Sequence, residues 1–242
     1  MPKQATPDKV GRQRRERGSI SAEEIINGAF EVARRDTLDK LSMPELAKHL
    51  DVGVTSIYWY FRKKEDLLNA MTDEAIRLVF EQLLPVEKSD WKSYLRKHFA
   101  KTREIYSSDH VLCDLGMVRF GTYSKEAVHQ VFKVMEDILE MLIEAGFAPD
   151  SALDVYESMS IYTRGSILIE RIQLSAKTPT IDAQRQGRLI DPVEMPRLAE
   201  LIKTRSLSMV ADEDYEAGVA HLMTGFEAVL RADKKARKAI QA

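Results

Sequence analysis

The 242-residue chain reads as an all-α protein, with a small N-terminal three-helix unit followed by a larger helical body. Three observations predict this. Apolar residues recur at helical spacing with few alternating runs; the 11 Gly and 8 Pro fall mostly between the periodic segments; and two Ser-x-x-Glu boxes, Ser21 with Glu24 and Ser42 with Glu45, mark helix starts.

The first helix begins after Ser21, whose hydroxyl can cap the Glu24 amide, and sets Ile25, Ile26, Ala29, Phe30 and Ala33 on one face. A second, short helix starts at Ser42, tolerates Pro44 in its first turn and points Leu46, Ala47 and Leu50 inward. After Asp51, Val52 and Gly53, a third runs from Val54 to Tyr60. From about Lys64 a longer helix carries Leu67, Leu68, Met71, Ala75, Val79 and Leu83 until Pro85 ends it. Beyond it, periodicity predicts helices near 90–107, 110–121, 124–145, 150–176 and 212–232. Residues 177–211, with Pro179, Pro192, Pro196 and Gly187, form a connector with one short helix near 195–204. A connector this long is usually functional or mobile.

One Cys excludes an intramolecular disulfide, and no leader of basic flank plus apolar run opens the chain. No stretch approaches the roughly 20 apolar residues that span a bilayer. The expectation is a cytoplasmic protein with no membrane partner. The formal charge of −2 hides an asymmetry: residues 1–64 hold 13 Lys+Arg against 9 Asp+Glu, and residues 65–242 hold 23 against 29. Within residues 1–19, Lys3, Lys9, Arg12, Arg14, Arg15 and Arg17 face only Asp8 and Glu16. Such an arm is either a solvated tail or an electrostatic attractor for phosphates.

The run from Leu46 to Phe61 is two short helices joined by a tight turn, the layout of a helix-turn-helix. Ala47 is small enough for a close crossing, Leu46, Leu50, Val52 and Ile57 form a small core, and the second helix presents Val54, Thr55, Ser56, Trp59 and Tyr60. Short hydroxyls can bond phosphates or base edges, and aromatic rings can pack on sugars or thymine methyl groups. The alternative is a helical hairpin with aromatic residues in its core. Tyr58 and Phe61 are assigned to that core, whereas Trp59 and Tyr60, beside Arg62, Lys63 and Lys64, are assigned to solvent and phosphate.

The segment Ser-Ile-Tyr-Trp-Tyr-Phe-Arg-Lys-Lys-Glu-Asp-Leu-Leu, preceded by Leu-Ala-x-x-Leu-x-Val, resembles the tetracycline-repressor family of bacterial regulators over about residues 20–70. The resemblance implies an N-terminal DNA-binding domain at 20–65, after a basic arm at 1–19, and a C-terminal helical domain at 66–242 that dimerises and binds a small effector. It also implies groove-facing roles for Thr55, Ser56, Trp59 and Tyr60, a backbone or packing role for Tyr58, and phosphate contacts from Lys64 and Ser42. Arg14, Arg15 and Arg17 lie just upstream, where an arm can follow the backbone or enter the minor groove. Two positions depart from the family pattern. Asp51 stands where Gly is usual in the turn, and Gly53 stands where Ser or Thr usually caps the reading helix, a permitted but weaker cap.

Near its end the chain, from Asp214 to Val229, resembles the last helix of the tetracycline-repressor subgroup. Ala211, Gly218, Gly225 and Ala232 recur every seven residues, and Ser158 and Gly165 do so on the preceding long helix. Two small-residue strips, with His221 and Leu222 beside them, predict an isologous four-helix dimer interface; close packing within one protomer is the alternative. Met and aromatic residues on helices 90–176 offer an adaptable apolar pocket or simply core. The candidates are Cys113, Met117, Phe120, Tyr123, Met135, Met159 and Tyr162, with Tyr106, Phe132, Leu139 and Ile169 in the wider set. Arg164 is an anchor for an anionic group or a snorkelling residue.

His110, Asp114 and His129 match no metal-ligand spacing, and no metal or cofactor is expected. No nucleophile elbow, P-loop, dinucleotide fingerprint, zinc-protease motif or Cys pair is present, so no catalytic residue is assigned. The expected function is a ligand-responsive homodimeric repressor on a palindromic operator, bacterial and cytoplasmic, nucleoid-associated when bound. Two alternatives stand beside it: a helical enzyme or carrier using the C-terminal pocket, and a DNA-associated interaction module without effector.

Overall fold

The structure, a computed structural model, describes residues 20–86, 90–119, 123–175, 187–204 and 212–241. The arm residues Arg14, Arg15 and Arg17, and Phe120, lie outside them. Two compact units divide between Met71 and Thr72.

In the first unit, α1 (Ala22–Arg35) starts on the expected reciprocal cap. The Ser21 hydroxyl accepts the Glu24 N–H at 3.1 Å, and the Glu24 carboxylate accepts the Ser21 N–H at 2.8 Å. Ile25, Ala29, Phe30 and Ala33 are buried as the periodicity requires; Val32 joins them, and Ile26 is half-buried. The box opening α2 (Met43–His49) is only half formed. Ser42 Oγ accepts the Glu45 N–H at 3.3 Å, but the Glu45 carboxylate takes Arg35 at 3.1 Å, a competing cation that only the fold brings near. In the turn, the Val52 N–H donates to the Ala47 carbonyl at 3.0 Å and Asp51 takes φ +53°, the left-handed backbone for which Gly is usual. Leu50 folds back onto α1, where a Cβ at Gly28 would stand 2.6 Å from its Cδ2.

Asp51 sets up a stability test. Asp51→Val is expected to lower unfolding free energy by about 1–2 kcal/mol, because a β-branched side chain clashes in left-handed backbone, while Asp51→Gly holds or raises it. Urea melts of the three proteins check this, and equal stability of the Val variant would contradict the turn geometry.

Helix α3 (Val54–Tyr60) starts at Gly53 without a side-chain cap, and within it only Ile57 is fully buried. Helix α4 (Lys64–Phe80) places Leu67, Leu68 and Met71 in this unit's core. It ends before the expected Leu83, because Gln82 N–H to Val79 and Leu83 N–H to Phe80 are tightened i→i−3 bonds.

In the second unit, α5 (Trp91–Ser108), α7 (Lys125–Ala145), α8 (Pro149–Ser175) and α10 (Asp212–Gln241) pack around Leu95, Phe99, Ile138, Leu142, Phe147, Met159, Met223 and Phe226. Trp91 meets Phe147 edge-on at 5.0 Å. Helix α7 stops at Gly146, whose φ of +112° supplies the left-handed cap.

Two further boundaries differ from the sequence reading. The predicted helix 110–121 breaks into α6 (His110–Cys113) and a widened π-helical turn, Asp114–Val118, which seats the Asp114 carboxylate on Arg171 with two 2.8 Å bonds. Helix α10 continues to Gln241 instead of 232. From Asp233 onward it is mostly charged and exposed, so hydrophobic periodicity is silent there. Good helix formers extend it, and Asp233 ties it to the Ala148 N–H at 2.9 Å. In the connector, α9 (Pro196–Leu201) falls within the predicted short helix, and residues 176–186 and 205–211 are outside the described set.

Candidate functional site

On α3 the helical turn puts Ile57 inward and leaves Thr55 and Trp59 outward. Trp59 is 77% exposed, with Tyr60 edge-on at 4.5 Å. An indole left in solvent costs burial that a core would recover, which marks it as a surface for contact. Ser56 is half-buried.

Three neighbours are placed differently from the sequence reading. Tyr58 is 45% exposed, not core, because it lies 100° around the helix from Ile57, on a flank that the described residues leave open. Tyr60 is half-buried, and its hydroxyl donates to the Ile20 carbonyl at 2.7 Å, so it braces the start of α1 instead of standing free. Lys64 donates to the carbonyls of Asp39 at 3.3 Å and Leu38 at 3.5 Å, which leaves one of its three ammonium protons uncommitted to that loop. Phe61 is buried as expected, and Arg62 and Lys63 are exposed. Ser42 Oγ serves as the α2 cap.

The second unit holds a half-open cavity of about 310 Å³. Its walls come from the end of α4 (Ile76, Val79, Phe80) with Leu83, from α5 (His98, Phe99, Thr102, Tyr106), from the π-turn (Gly116, Met117), from Tyr123 with α7 (Val128, Val131, Phe132, Val134), and from α8 (Tyr156, Ser160, Thr163, Arg164). Of the predicted ligand residues, Met117, Tyr123 and Arg164 line it. Cys113, Met135, Met159 and Tyr162 do not. Cys113 is fully buried with its thiol pushed up to about 11 by burial; Met159 is core; Met135 is half-buried. Tyr162 covers Gly218 and donates to the Asp214 and Tyr215 carbonyls.

Of the wider set Tyr106 and Phe132 line the cavity too, but sequence reasoning missed His98 and Thr102, which precede Tyr106 at four-residue steps on α5, and the stripe of Tyr156, Ser160 and Thr163 on α8. Tyr123 donates to the Gly116 carbonyl at 3.2 Å, and the Tyr106 ring lies against Gly116. Burial raises both phenols above their ordinary range, and the nearby Arg164 guanidinium offsets part of that rise.

His98 is buried beside the Tyr94 hydroxyl, 3.2 Å from its Nδ1, and burial lowers its pKa from 6.5 to about 4. Between those values the unfolded chain binds a proton that the native one refuses. The stability contributed by neutral His98 is therefore complete above pH 6.5 and is lost as pH falls toward 4, by on the order of 3 kcal/mol. Urea melts of wild type and His98→Gln at pH 7, 6 and 5 should diverge accordingly, and parallel pH dependence would refute the assignment.

The small-residue strips separate into two roles. Gly218 lies beneath the Tyr162 ring of the same chain, so at this position the small residue serves a close approach of α8 and α10 inside one protomer, the alternative reading of the strip, and the half-buried Leu222 packs against the same core. Among the described residues, no packed neighbour lies within 4 Å of a Cβ position at Gly165 or Gly225. His221 is exposed and Ser158 half-buried. Around them Ile161 is 72% and Ile172 65% exposed, an apolar face that small-residue spacing alone did not reveal. Among the described residues, no three His, Cys, Asp or Glu side chains cluster as a metal site, and no helix is long and apolar enough to cross a membrane.

Comparisons with known proteins match both units. A family model described as bacterial regulatory proteins, tetR family, matches residues 25–71, and one described as a tetracyclin repressor-like C-terminal domain matches residues 84–230. An HTH-type transcriptional repressor of Mycobacterium tuberculosis is 43% identical over 198 residues, covering 81% of this chain and 75% of that protein. The class D tetracycline repressor protein of Escherichia coli is 24% identical over 216 residues, covering 88% and 92%. Among solved structures, the TetR family protein ActR of Streptomyces coelicolor in complex with actinorhodin aligns with a TM-score of 0.65 at 20% identity, covering 87% of this chain and 98% of that one.

Proposed function

This chain belongs to the tetR family of bacterial regulatory proteins, and from that premise we propose that it is a homodimeric, ligand-responsive repressor that occludes a palindromic operator until a small molecule fills its C-terminal cavity. The observation that carries the reading is the pairing of an exposed Trp59 on the second helix of a helix-turn-helix with a half-open, largely apolar cavity in the other unit.

Thr55, Ser56 and Trp59 supply the groove-facing surface of α3, with Tyr58 on its flank. Tyr60 acts by holding α3 against Ile20, and Lys64 by its remaining proton toward phosphate. Ser42 keeps its cap role at the start of α2, and the arm with Arg14, Arg15 and Arg17 follows the backbone. Two copies of α3 about 34 Å apart read two half-sites, which requires a two-fold dimer. The exposed face of Ile161, Gly165, Ile172, His221 and Gly225 supports an isologous contact of α8 and α10 with their copies.

Ile76, Val79 and Phe80, in the last turns of α4, line the cavity, and Lys64 opens the same helix. A ligand that shifts the end of α4 changes the separation of the two reading helices. Its preference for the shifted state then weakens DNA binding by the same free energy with which DNA opposes the ligand. The protein works in the cytoplasm, on the nucleoid when bound.

Footprinting the purified protein on fragmented DNA of its own source tests this. An enriched palindrome with half-sites one helical turn apart is expected, and its absence would remove the operator reading.

A further inference from the structure

The cavity walls are mostly aromatic and aliphatic, and their charge is concentrated at one point. Phe99, Tyr106, Tyr123, Phe132 and Tyr156 present rings to the space, and no carboxylate stands among the described lining residues. His98 stays uncharged at neutral pH, which leaves Arg164 as the charged side chain of the described lining.

Two other partly buried arginines of this unit hold carboxylates. Arg103 is held by Glu170 at 3.1 Å and Asp212 at 2.5 Å, and Arg171 by both oxygens of Asp114 at 2.8 Å. Arg164 has no such ion pair within the described chain. A guanidinium in a semi-enclosed apolar space without an anion forgoes the charge-assisted, two-pronged bond for which its planar fork is built. Its position near the Tyr106 and Tyr123 phenols sets the anion site beside the π-turn that carries Gly116.

We propose that the cavity selects an aromatic acid: a flat molecule of two or three rings held by the ring-lined walls, with one carboxylate or sulfonate paired to Arg164. This rests on the reading of the cavity as the effector site. It adds that the effector is anionic. The rings are bound by apolar area and edge or stacking contacts, and the anion fixes which end enters first. A charge-assisted bond in this setting is worth about tenfold or more in affinity.

The full-length protein is titrated with two fluorescent probes of one skeleton, 8-anilinonaphthalene-1-sulfonate and N-phenyl-1-naphthylamine, which differ only in the sulfonate. The sulfonate is expected to bind at least about tenfold tighter. Arg164→Gln should erase that preference while leaving the neutral probe unaffected, Arg164→Lys should retain part of it, and Ser160→Trp, which fills the cavity, should abolish binding of both. Equal binding of the two probes to wild type, or a preference that survives Arg164→Gln, overturns the anion assignment and leaves the effector cavity standing. Failure of both probes to bind, or binding untouched by Ser160→Trp, counts against the cavity as an effector site and overturns the inference with it.

Discussion

Replacing Trp59 with alanine is expected to weaken operator binding by about 10–100-fold while leaving the fold intact. Stacking or apolar contact of one aromatic ring with nucleic acid is worth about 1–3 kcal/mol, and each 1.4 kcal/mol is a factor of ten. At 77% exposure the indole contributes little to folding, so the melting curve should move by no more than a surface substitution allows, about 0.5 kcal/mol. Only its edge contact with Tyr60 is lost. Ile57→Ala is the contrasting case: the side chain is fully buried, and any loss of DNA affinity would follow from a loosened helix-turn-helix, visible as a lower melting temperature. Gel shifts on the footprinted operator at one fixed salt concentration distinguish the two. Unchanged affinity of Trp59→Ala would remove α3 as the reading surface.

Ile161→Glu is expected to separate the dimer and to cost at least about a hundredfold in operator affinity, more than any single contact on α3. The side chain is 72% exposed in one protomer, so the isolated chain tolerates a carboxylate there. In a two-fold contact each glutamate would be buried near its symmetry mate's apolar face, where desolvation of an unpaired charge exceeds any gain. Loss of the dimer converts binding of the second half-site from an intramolecular event at high effective concentration into an independent one. Light scattering and sedimentation at micromolar protein should show wild type as a dimer and the variant as a monomer with an unchanged far-UV helix signal. A variant that stays dimeric places the interface elsewhere, and a monomeric wild type removes it.

The parts of the molecule legible in the sequence are those decided within a few residues. Ser21 and Glu24 cap each other three positions apart, and Asp51 takes the left-handed turn its side chain tolerates. Exposure of Thr55 and Trp59 follows from the 100° step that buries Ile57. The tight approach at Gly218 was read as a surface between protomers, since small-residue spacing says that something comes close without saying what. The pocket was legible as a kind of lining, Met and aromatic residues on helices 90–176, yet only Met117, Tyr123 and Arg164 of the assigned set reach it. Which face of α5 or α8 turns toward the cavity depends on the rotation of each helix against the others.

What the sequence by itself determined, then, is the all-α class, the helix-turn-helix and its outward Trp59, because caps, turns and amphipathic spacing act through neighbours along the chain. The tertiary structure alone decided the rest. Tyr60 is withdrawn to Ile20 across 40 residues, Glu45 is diverted to Arg35, Lys64 is turned onto the loop at Asp39, and Asp233 carries α10 past its apolar stripe by reaching Ala148. Arg171 meets Asp114 across 57 positions, while Arg164, on the same helix, is left facing the cavity. The physical reason is common to all of them. A charge or hydroxyl binds whichever partner the packed core delivers within about 3 Å, and that partner is set by helix crossings, not by local sequence.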